Sequence, residues 1–375
     1  MKILLDPQIF NQQTYGGISR YYTEIFTRIS KKKDVDVLLP ILITNNYYLK
    51  ENKQLLKKGI FSSIHKTLSF FKISTKSLTR KNTEKQVEQA FQEGRYDVFV
   101  PTYYNPYFLE KIQDKPFVLT VYDMIHELYP KYFVNDPFNV VENKKLVIQN
   151  AAKIIAVSQN TKKDILKFYP NLNPEKIVVI HHGNSIQIDE KVKVDLPQNY
   201  ILFVGSRENY KNFQLLVEAV EELLKSDQSL YLVAAGGGKF SEEEVSFIKS
   251  IGLEKQIVQK YFEEKELGQF YKNAKCFVFP SAYEGFGIPV LEAMACGCPI
   301  ILSNASSFPE VAGEAGIYFE TNSKEDLQIK ISDVLADHNL RASYIKKGFE
   351  QIKKFDWDAA AEKCLQVYKE AILQK

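Results

Sequence analysis

The sequence predicts an α/β protein of two domains. Three observations carry that expectation. The chain has 375 residues, more than a single hydrophobic core usually serves. Short apolar runs rich in β-branched and aromatic residues alternate with helical stretches along it, the pattern of parallel sheets covered by helices. Finally, the segment CFVFPSAYEGFGIPVLEAMACGCP, from Cys276 to Pro299, joins a buried strand, a glycine turn and a helix start in one run.

That segment organises the rest. Cys276–Phe279 reads as a strand stopped by Pro280. Glu284, Gly285, Phe286 and Gly287 form the turn. Pro289 then opens a helix where its missing N–H costs nothing, and Gly297 closes it. Such a helix start is an anion site, because unpaired amides and the positive end of the helix dipole meet there. Glu284 precedes the turn, and Glu292 is expected in the first helical turn. A phosphate on the Gly287 and Ile288 amides would have a carboxylate on either side. Carboxylates accept hydrogen bonds from vicinal diols, so the arrangement suits a nucleotide sugar.

Composition narrows the class. Hydrophobic residues make up 45%, enough for real cores. No apolar run is long enough to span a membrane. MKILLDPQIF is broken by Asp6 and Pro7 and reads as a first core strand rather than a leader. Cys276, Cys296, Cys298 and Cys364 form no metal or disulfide pattern, which suits a reducing cytoplasm. Residues 1–195 carry 29 Lys/Arg against 20 Asp/Glu, and residues 196–375 carry 20 against 26. The basic first half is expected to meet something anionic.

In chain order, Lys2–Leu5 is the first strand. Gly16 and Gly17 precede a helix running to Ile29, where backbone can again approach a phosphate; Arg20 lies on its first turn. Val35–Ile43 is the next strand. Residues 50–85 hold ten Lys/Arg against Glu51 and Glu84, with Phe61, Phe70 and Phe71 between the lysines. Two readings stay open for this stretch: peripheral contact with an anionic inner membrane, or a solvated insertion. No nucleic-acid module accompanies the charge, so no nucleic-acid partner is expected. A helix through Phe91 precedes strands at Tyr96–Val100 and Phe117–Val121. The aromatic loop from Pro101 to Pro106 ends the first of these, and Tyr122-Asp123-Met124-Ile125-His126 follows the second. Lys153–Val157 and Ile177–Ile180 complete the first domain, and residues 184–198 read as a linker. Asp34-Val35-Asp36 and Asp356-Trp357-Asp358 spell D-x-D, but one sits among lysines and the other opens a helix. His181 and His182 diverge on extended chain. No metal site is therefore expected.

The second domain opens with the strand Tyr200–Val204 and GSRENYKN. Strands at Tyr231–Ala235, ending in three glycines, and Ile257–Tyr261 precede the central segment. Ile300–Ser303 and the edge strand Gly316–Phe319 follow it, and the tail from Lys324 is helical.

Two of these stretches, VGSRENYKN and the E-x7-E spacing around GFG-P, resemble glycosyltransferase family 4. The resemblance covers nearly the whole chain. It implies an α/β fold of two Rossmann-like domains facing a cleft, known as GT-B. It divides the chain into an N-terminal acceptor domain of residues 1–195 and a C-terminal donor domain of residues 196–355. A closing helix of residues 356–375 then packs back on the first domain. The activity implied is retaining, metal-independent hexosyl transfer from a nucleotide sugar, with no cofactor. Arg207 and Lys211 would neutralise the diphosphate together with the Gly287 and Ile288 amides, and Gly16 and Gly17 would lie across from it. Glu292 would hold the ribose and Glu284 the donor sugar. Asp123 and His126 would meet the sugar from the first domain, since Tyr122 occupies the family's usual His place. GDP-mannose is the first candidate donor, with UDP- and dTDP-sugars next. The implied acceptor is a lipid-linked glycan of bacterial surface polysaccharide, handled in the cytoplasm at the inner membrane face. A sugar-nucleotide epimerase of the same fold and a non-catalytic nucleotide-sugar-binding protein are the alternatives. Product formation, and its loss in Glu284→Ala, separates them.

Overall fold

The computed structural model describes residues 1–41, 44–56, 75–207 and 209–374. Phe61, Phe70 and Phe71 of the basic stretch lie outside the described residues, as do Ile43 and Glu208. The chain divides into two units: Met1–His182 with Trp357–Lys375, and Gly183–Asp356.

The first unit is built on six parallel strands. β1 (Lys2–Leu5) lies between β2 (Asp36–Leu38) and β3 (Val98–Val100). β4 (Val118–Val121), β5 (Lys153–Ala156) and β6 (Ile177–Val179) form a second group of three. A single parallel bridge, Phe99 to Phe117, joins the groups. β2 is shorter than the expected Val35–Ile43 because Pro40 has no N–H for the ladder.

The Trp357–Leu373 helix belongs to this unit. Its residues Trp357, Ala360, Ala361, Cys364, Leu365, Tyr368 and Ala371 are buried and recur at helical spacing. They pack on the Gly17–Ile29 helix: Phe26 stacks on Tyr368, with centroids 6.0 Å apart, and Tyr21 Oη lies 3.6 Å from Cys364 Sγ. Trp357 packs against Tyr21 and His182. Removing a buried indole of this kind costs about 3–5 kcal/mol.

The second unit has one six-stranded parallel sheet. Its strands are β7 (Tyr200–Val204), β8 (Tyr231–Ala235), β9 (Ile257–Lys260), β10 (Cys276–Phe279), β11 (Ile300–Ser303) and β12 (Gly316–Phe319). The order is β12-β11-β10-β7-β8-β9, so β12 is an edge strand as expected. β7, β10 and β11 are buried throughout, which is why each reads as continuous apolar sequence. Ile201, Phe203, Leu232, Val278 and Ile301 anchor the core, with Leu216, Val220 and Leu327 packed on them from helices. Each such side chain contributes about 1.5–3 kcal/mol by leaving water. The four cysteines are free and buried.

Residues 183–195 group with the second unit rather than with the first. The reason is local packing. A side chain at Gly268 would strike Gln187 O at 2.4 Å, so this glycine lets the segment lie flat on the Leu267–Asn273 helix. Gln269 Nε2 then donates to Asp189 O at 2.8 Å.

Candidate active site

In the second unit, the strand order reverses between β7 and β10. Ligands of open parallel sheets bind outside the carboxyl ends of the strands at such a point. The loop after β7 carries Arg207 and Lys211, and the loop after β10 carries the Glu284 turn. Two hydrogen bonds tie the loops together: Ala282 N to Tyr210 O at 2.8 Å, and Asn212 Nδ2 to Pro280 O at 3.1 Å. They bring Lys211 Nζ within 2.5 Å of Glu284 Oε1. Both side chains are largely buried, at 15% and 14% exposure. The ammonium also sits 5.3 Å from the Phe279 ring centre.

The glycine turn is held from a third loop. Glu284 N donates to Ser306 Oγ at 2.9 Å, and Ser306 Oγ in turn bonds Glu284 O. Ser307 Oγ donates to Glu284 O at 2.9 Å and to Phe286 O at 3.0 Å. Ser306 and Ser307 directly precede the short Phe308–Ala312 helix, so locally they look like helix-start residues. Side-chain bonds across 22 residues leave no spacing signal.

Gly287 has φ 90 and caps the Ile288–Ala295 helix. This left-handed conformation suits glycine, and an added Cβ would also press on Phe308 at 3.1 Å. The first amides of a helix have no partner within it, so those near Ile288 are directed to whatever lies beyond the end.

Two placements differ from the expectations. Glu292 is not in the first turn, because the helix starts at Ile288, one residue before Pro289, which makes Glu292 its fifth residue. It lies one turn deeper, 4% exposed, and accepts from Tyr271 Oη at 3.1 Å. Arg207 does not join Lys211. Its Nε pairs with Glu244 at 2.7 Å, and its other nitrogens donate to Gly236 O, Gly238 O and Lys239 O. Its guanidinium lies against the Phe240 and Phe213 rings. Gly236, Gly237 and Gly238 all have positive φ, which lets the carbonyls of Gly236, Gly238 and Lys239 face one cation. The 3-10 turn Asn209–Lys211 separates the two basic side chains. Arg207 therefore organises the loops after β7 and β8, and Lys211 is the cation beside the glycine turn.

In the first unit, Gly16 caps the Gly17–Ile29 helix in extended conformation. Gln13 Oε1 accepts from Ser19 N at 3.1 Å, taking an amide that an anion could otherwise use. A Cβ on Gly16 would collide with that same Gln13 side chain. Arg20 is 9% exposed.

Asp123 and His126 follow β4. Asp123 Oδ1 accepts from Ile125 N at 3.1 Å, and its side chain is 34% exposed. Beneath them lies a buried lysine that the sequence reading missed. Lys144 Nζ donates to Asp123 O at 3.1 Å, pairs with Glu127 at 3.0 Å and faces the Tyr104 ring. His126 stacks on Phe133 with centroids 4.0 Å apart, and its buried Nδ1 has no partner among the described residues. Burial, and then the charge of Lys144, hold its pKa below the usual histidine range. His126 also lines a cavity of about 410 Å³ with Lys131, Phe133 and Asp136. Tyr122, at the family's His place, is buried against Tyr21 and Tyr22. Among the described residues no group of three His, Cys, Asp or Glu could hold a metal. Nor is any described helix long and apolar enough to cross a membrane.

Fold and site together define a sugar-transferring enzyme of GT-B architecture. Residues 184–351 match the model of glycosyl transferases group 1, and residues 15–187 match that of glycosyltransferase family 4. The chain belongs to these glycosyltransferases. It is 26% identical over 372 residues to O-antigen chain mannosyltransferase B of Escherichia coli, covering 94% of this chain and 96% of that one. It is 29% identical over 259 residues to the serotype-specific mannosyltransferase WbdA of Escherichia coli, covering 64% of this chain and 32% of WbdA. Among solved structures, HepE of Anabaena in complex with UDP and glucose aligns with a TM-score of 0.70 at 18% identity, over 98% of both chains. WaaG, a glycosyltransferase of lipopolysaccharide biosynthesis, aligns at 0.69 and 15% identity, over 98% of this chain and 99% of that one.

Proposed function

We propose that this chain moves a hexose from a nucleotide sugar to a glycan acceptor with retention at the anomeric carbon. The observation that carries the reading is the Lys211–Glu284 pair beside the Gly287 helix start, at the strand-order reversal of the second sheet. Lys211 neutralises the diphosphate, and the Gly287 and Ile288 amides hold its oxygens, with Gly285 and Phe286 shaping the turn. Arg207 acts by bracing the loops. Glu284, relieved of Lys211 when the diphosphate binds, takes the sugar hydroxyls. Glu292, oriented by Tyr271, takes the ribose. Asp123 and His126 are assigned to the sugar rather than to the diphosphate.

We assign no side chain of the donor site as a nucleophile. In our scheme the sugar–phosphate bond breaks first, and the acceptor hydroxyl attacks from the face the diphosphate leaves. The departing phosphate oxygen accepts the hydroxyl proton. Catalysis is then mainly stabilisation of the leaving charge. GDP-mannose is the first candidate donor, because two of the curated relatives are mannosyltransferases. UDP- and dTDP-sugars are tested beside it, since HepE was solved with UDP. The acceptor is proposed to be a lipid-linked glycan of bacterial surface polysaccharide. The lysine-rich residues 50–85 support a cytoplasmic position at the inner membrane face.

The test is proton NMR of fresh reaction mixtures with each donor. An α-linked product from an α-linked donor is expected, and Glu284→Ala should abolish it while sparing nucleoside diphosphate binding. A product of inverted configuration, or full transfer by Glu284→Ala, would overturn the scheme.

A further inference from the structure

We infer that buried Lys144 is a positioning residue for sugar transfer: it fixes the turn after β4 that carries Asp123 and His126. Lys144 stands on the Val140–Asn150 helix, and its side chain is fully shielded from water. Its Nζ reaches three elements. It donates to Asp123 O at 3.1 Å, just past the end of β4, and to Glu127 Oε2 at 3.0 Å, on the short Ile125–Leu128 helix. It also lies 5.0 Å from the centre of the Tyr104 ring, in the loop after β3. Tyr104 Oη in turn accepts from Tyr122 N at 3.1 Å, next to Asp123. One ammonium therefore ties both ends of the turn from Asp123 to Glu127, with His126 between them.

Stability does not call for a charge at this place. A buried ion pair loses in desolvation about what it gains in attraction, so apolar side chains of similar volume would hold these elements as well. The pair is also incomplete: Glu127 Oε1 is buried with no hydrogen-bond partner among the described residues. An ammonium supplies two things that an apolar side chain cannot. Its N–H groups select the Asp123 carbonyl, which sets the direction of the turn. It also places a fixed positive charge beneath His126.

That charge acts on the imidazole. The groups facing the ring are Lys144 from the Val140–Asn150 helix, Asp123 from the end of β4, Glu127 from its own helix, and Lys131, Tyr132 and Asp136 from the segment that follows. Burial opposes protonation most, and Lys144 is the strongest of the charged neighbours, acting in the same direction. Protonation would also leave the buried Nδ1 as a charged donor with nothing to receive it. The ring is thus kept neutral. The inference rests on the transfer reading in one respect: His126 is taken to meet the donor sugar. In that scheme the bond to the diphosphate breaks first, and positive charge builds on the sugar carbon. A neutral ring adds no repulsion there, and an imidazolium would.

The test uses the full chain. Ring-nitrogen NMR follows the protonation of His126 with pH, its signal assigned among the five histidines by its loss in His126→Gln. Lys144→Met removes the cation and should move the His126 midpoint up. Glu127→Gln removes the anion and should move it down. A side chain needed only for packing would not give opposite signs. The double variant carries two neutral side chains, so it keeps the fold even if Lys144→Met, with its orphaned carboxylate, does not. Its midpoint should lie above that of wild type, because Lys144 outweighs Glu127. In Lys144→Met and in the double variant, kcat for transfer should fall about tenfold to a hundredfold, the effect of a misplaced turn, with nucleoside diphosphate affinity unchanged. The acid limb of kcat should follow each NMR midpoint. Midpoints that do not move, or that move the same way in both single variants, would overturn the inference. Wild-type kcat in the double variant would overturn the positioning role. If wild type turned over no nucleotide sugar while the midpoints moved in opposite directions, the transfer reading would fail and the hold of Lys144 on His126 would stand.

Discussion

Lys211→Met removes the cation from the donor site and leaves the Glu284 carboxylate without its partner. At 2.5 Å, and with an effective dielectric of about 20, the direct attraction is about 6–7 kcal/mol. Desolvation of both groups opposes it, and each keeps some contact with water. Breaking a buried pair on one side costs about 3–5 kcal/mol, and the residual exposure favours the lower end. We therefore expect Lys211→Met to lose about 3 kcal/mol of stability, or roughly 6–12 °C in melting temperature for a unit of this size. Glu284→Gln removes the unpaired charge. The double variant should thus be more stable than the sum of the single losses, with a coupling of about 2 kcal/mol. Urea unfolding of all four proteins measures this. Saturating nucleoside diphosphate adds a functional arm. At about 100 times its dissociation constant it should stabilise wild type by about 2.7 kcal/mol, and it should stabilise Lys211→Met far less. Strictly additive single losses, or equal protection of wild type and Lys211→Met, would refute the pairing and its role.

Three further outcomes are expected. Tyr271→Phe takes a hydrogen bond from Glu292 and should weaken nucleoside diphosphate binding about fivefold to tenfold by calorimetry; unchanged affinity would remove Glu292 from the site. Gly287→Ala forces a side chain into φ 90 against Phe308 and should cost about 1–2 kcal/mol in urea, whereas an unaltered midpoint would show that the turn tolerates it. The third concerns pH: burial holds His182 down at about 3 and pushes Asp6 up to about 6. The His182 contribution is complete above its unfolded value and is lost as pH falls toward 3. The Asp6 contribution is complete below its unfolded value and is lost as pH rises through 6. Between about pH 4 and 6 the two slopes oppose. Relative to wild type, His182→Gln should tilt stability downward with rising pH and Asp6→Asn upward, each by as much as about 1.4 kcal/mol per pH unit. Parallel curves for all three proteins would contradict burial as the cause.

Much was legible in the chain because it is written locally. β7, β8, β10, β11 and β12 fall on the residues their apolar runs indicate, since a strand buried on both faces must be apolar throughout. Gly287 and Gly297 mark the ends of their helix because backbone at positive φ excludes most other residues. Pro40 cut β2 short for an equally local reason that the β-branched run concealed.

What tertiary structure alone decided is which side chains meet. Lys211 and Glu284 are 73 residues apart, and only the reversal of strand order after β7 and β10 sets their loops side by side. Arg207 and Lys211 are four residues apart, yet the turn between them sends one to the triple-glycine loop and the other to Glu284. Tyr271 against Glu292, the serines on the glycine turn, and Lys144 beneath Asp123 likewise belong to partners distant in sequence. Propensity and periodicity act within a few residues, so the sequence determined strands, turns and the family they spell. Hydrogen bonds and ion pairs act across space, so their partners were settled only when the sheets set loop against loop.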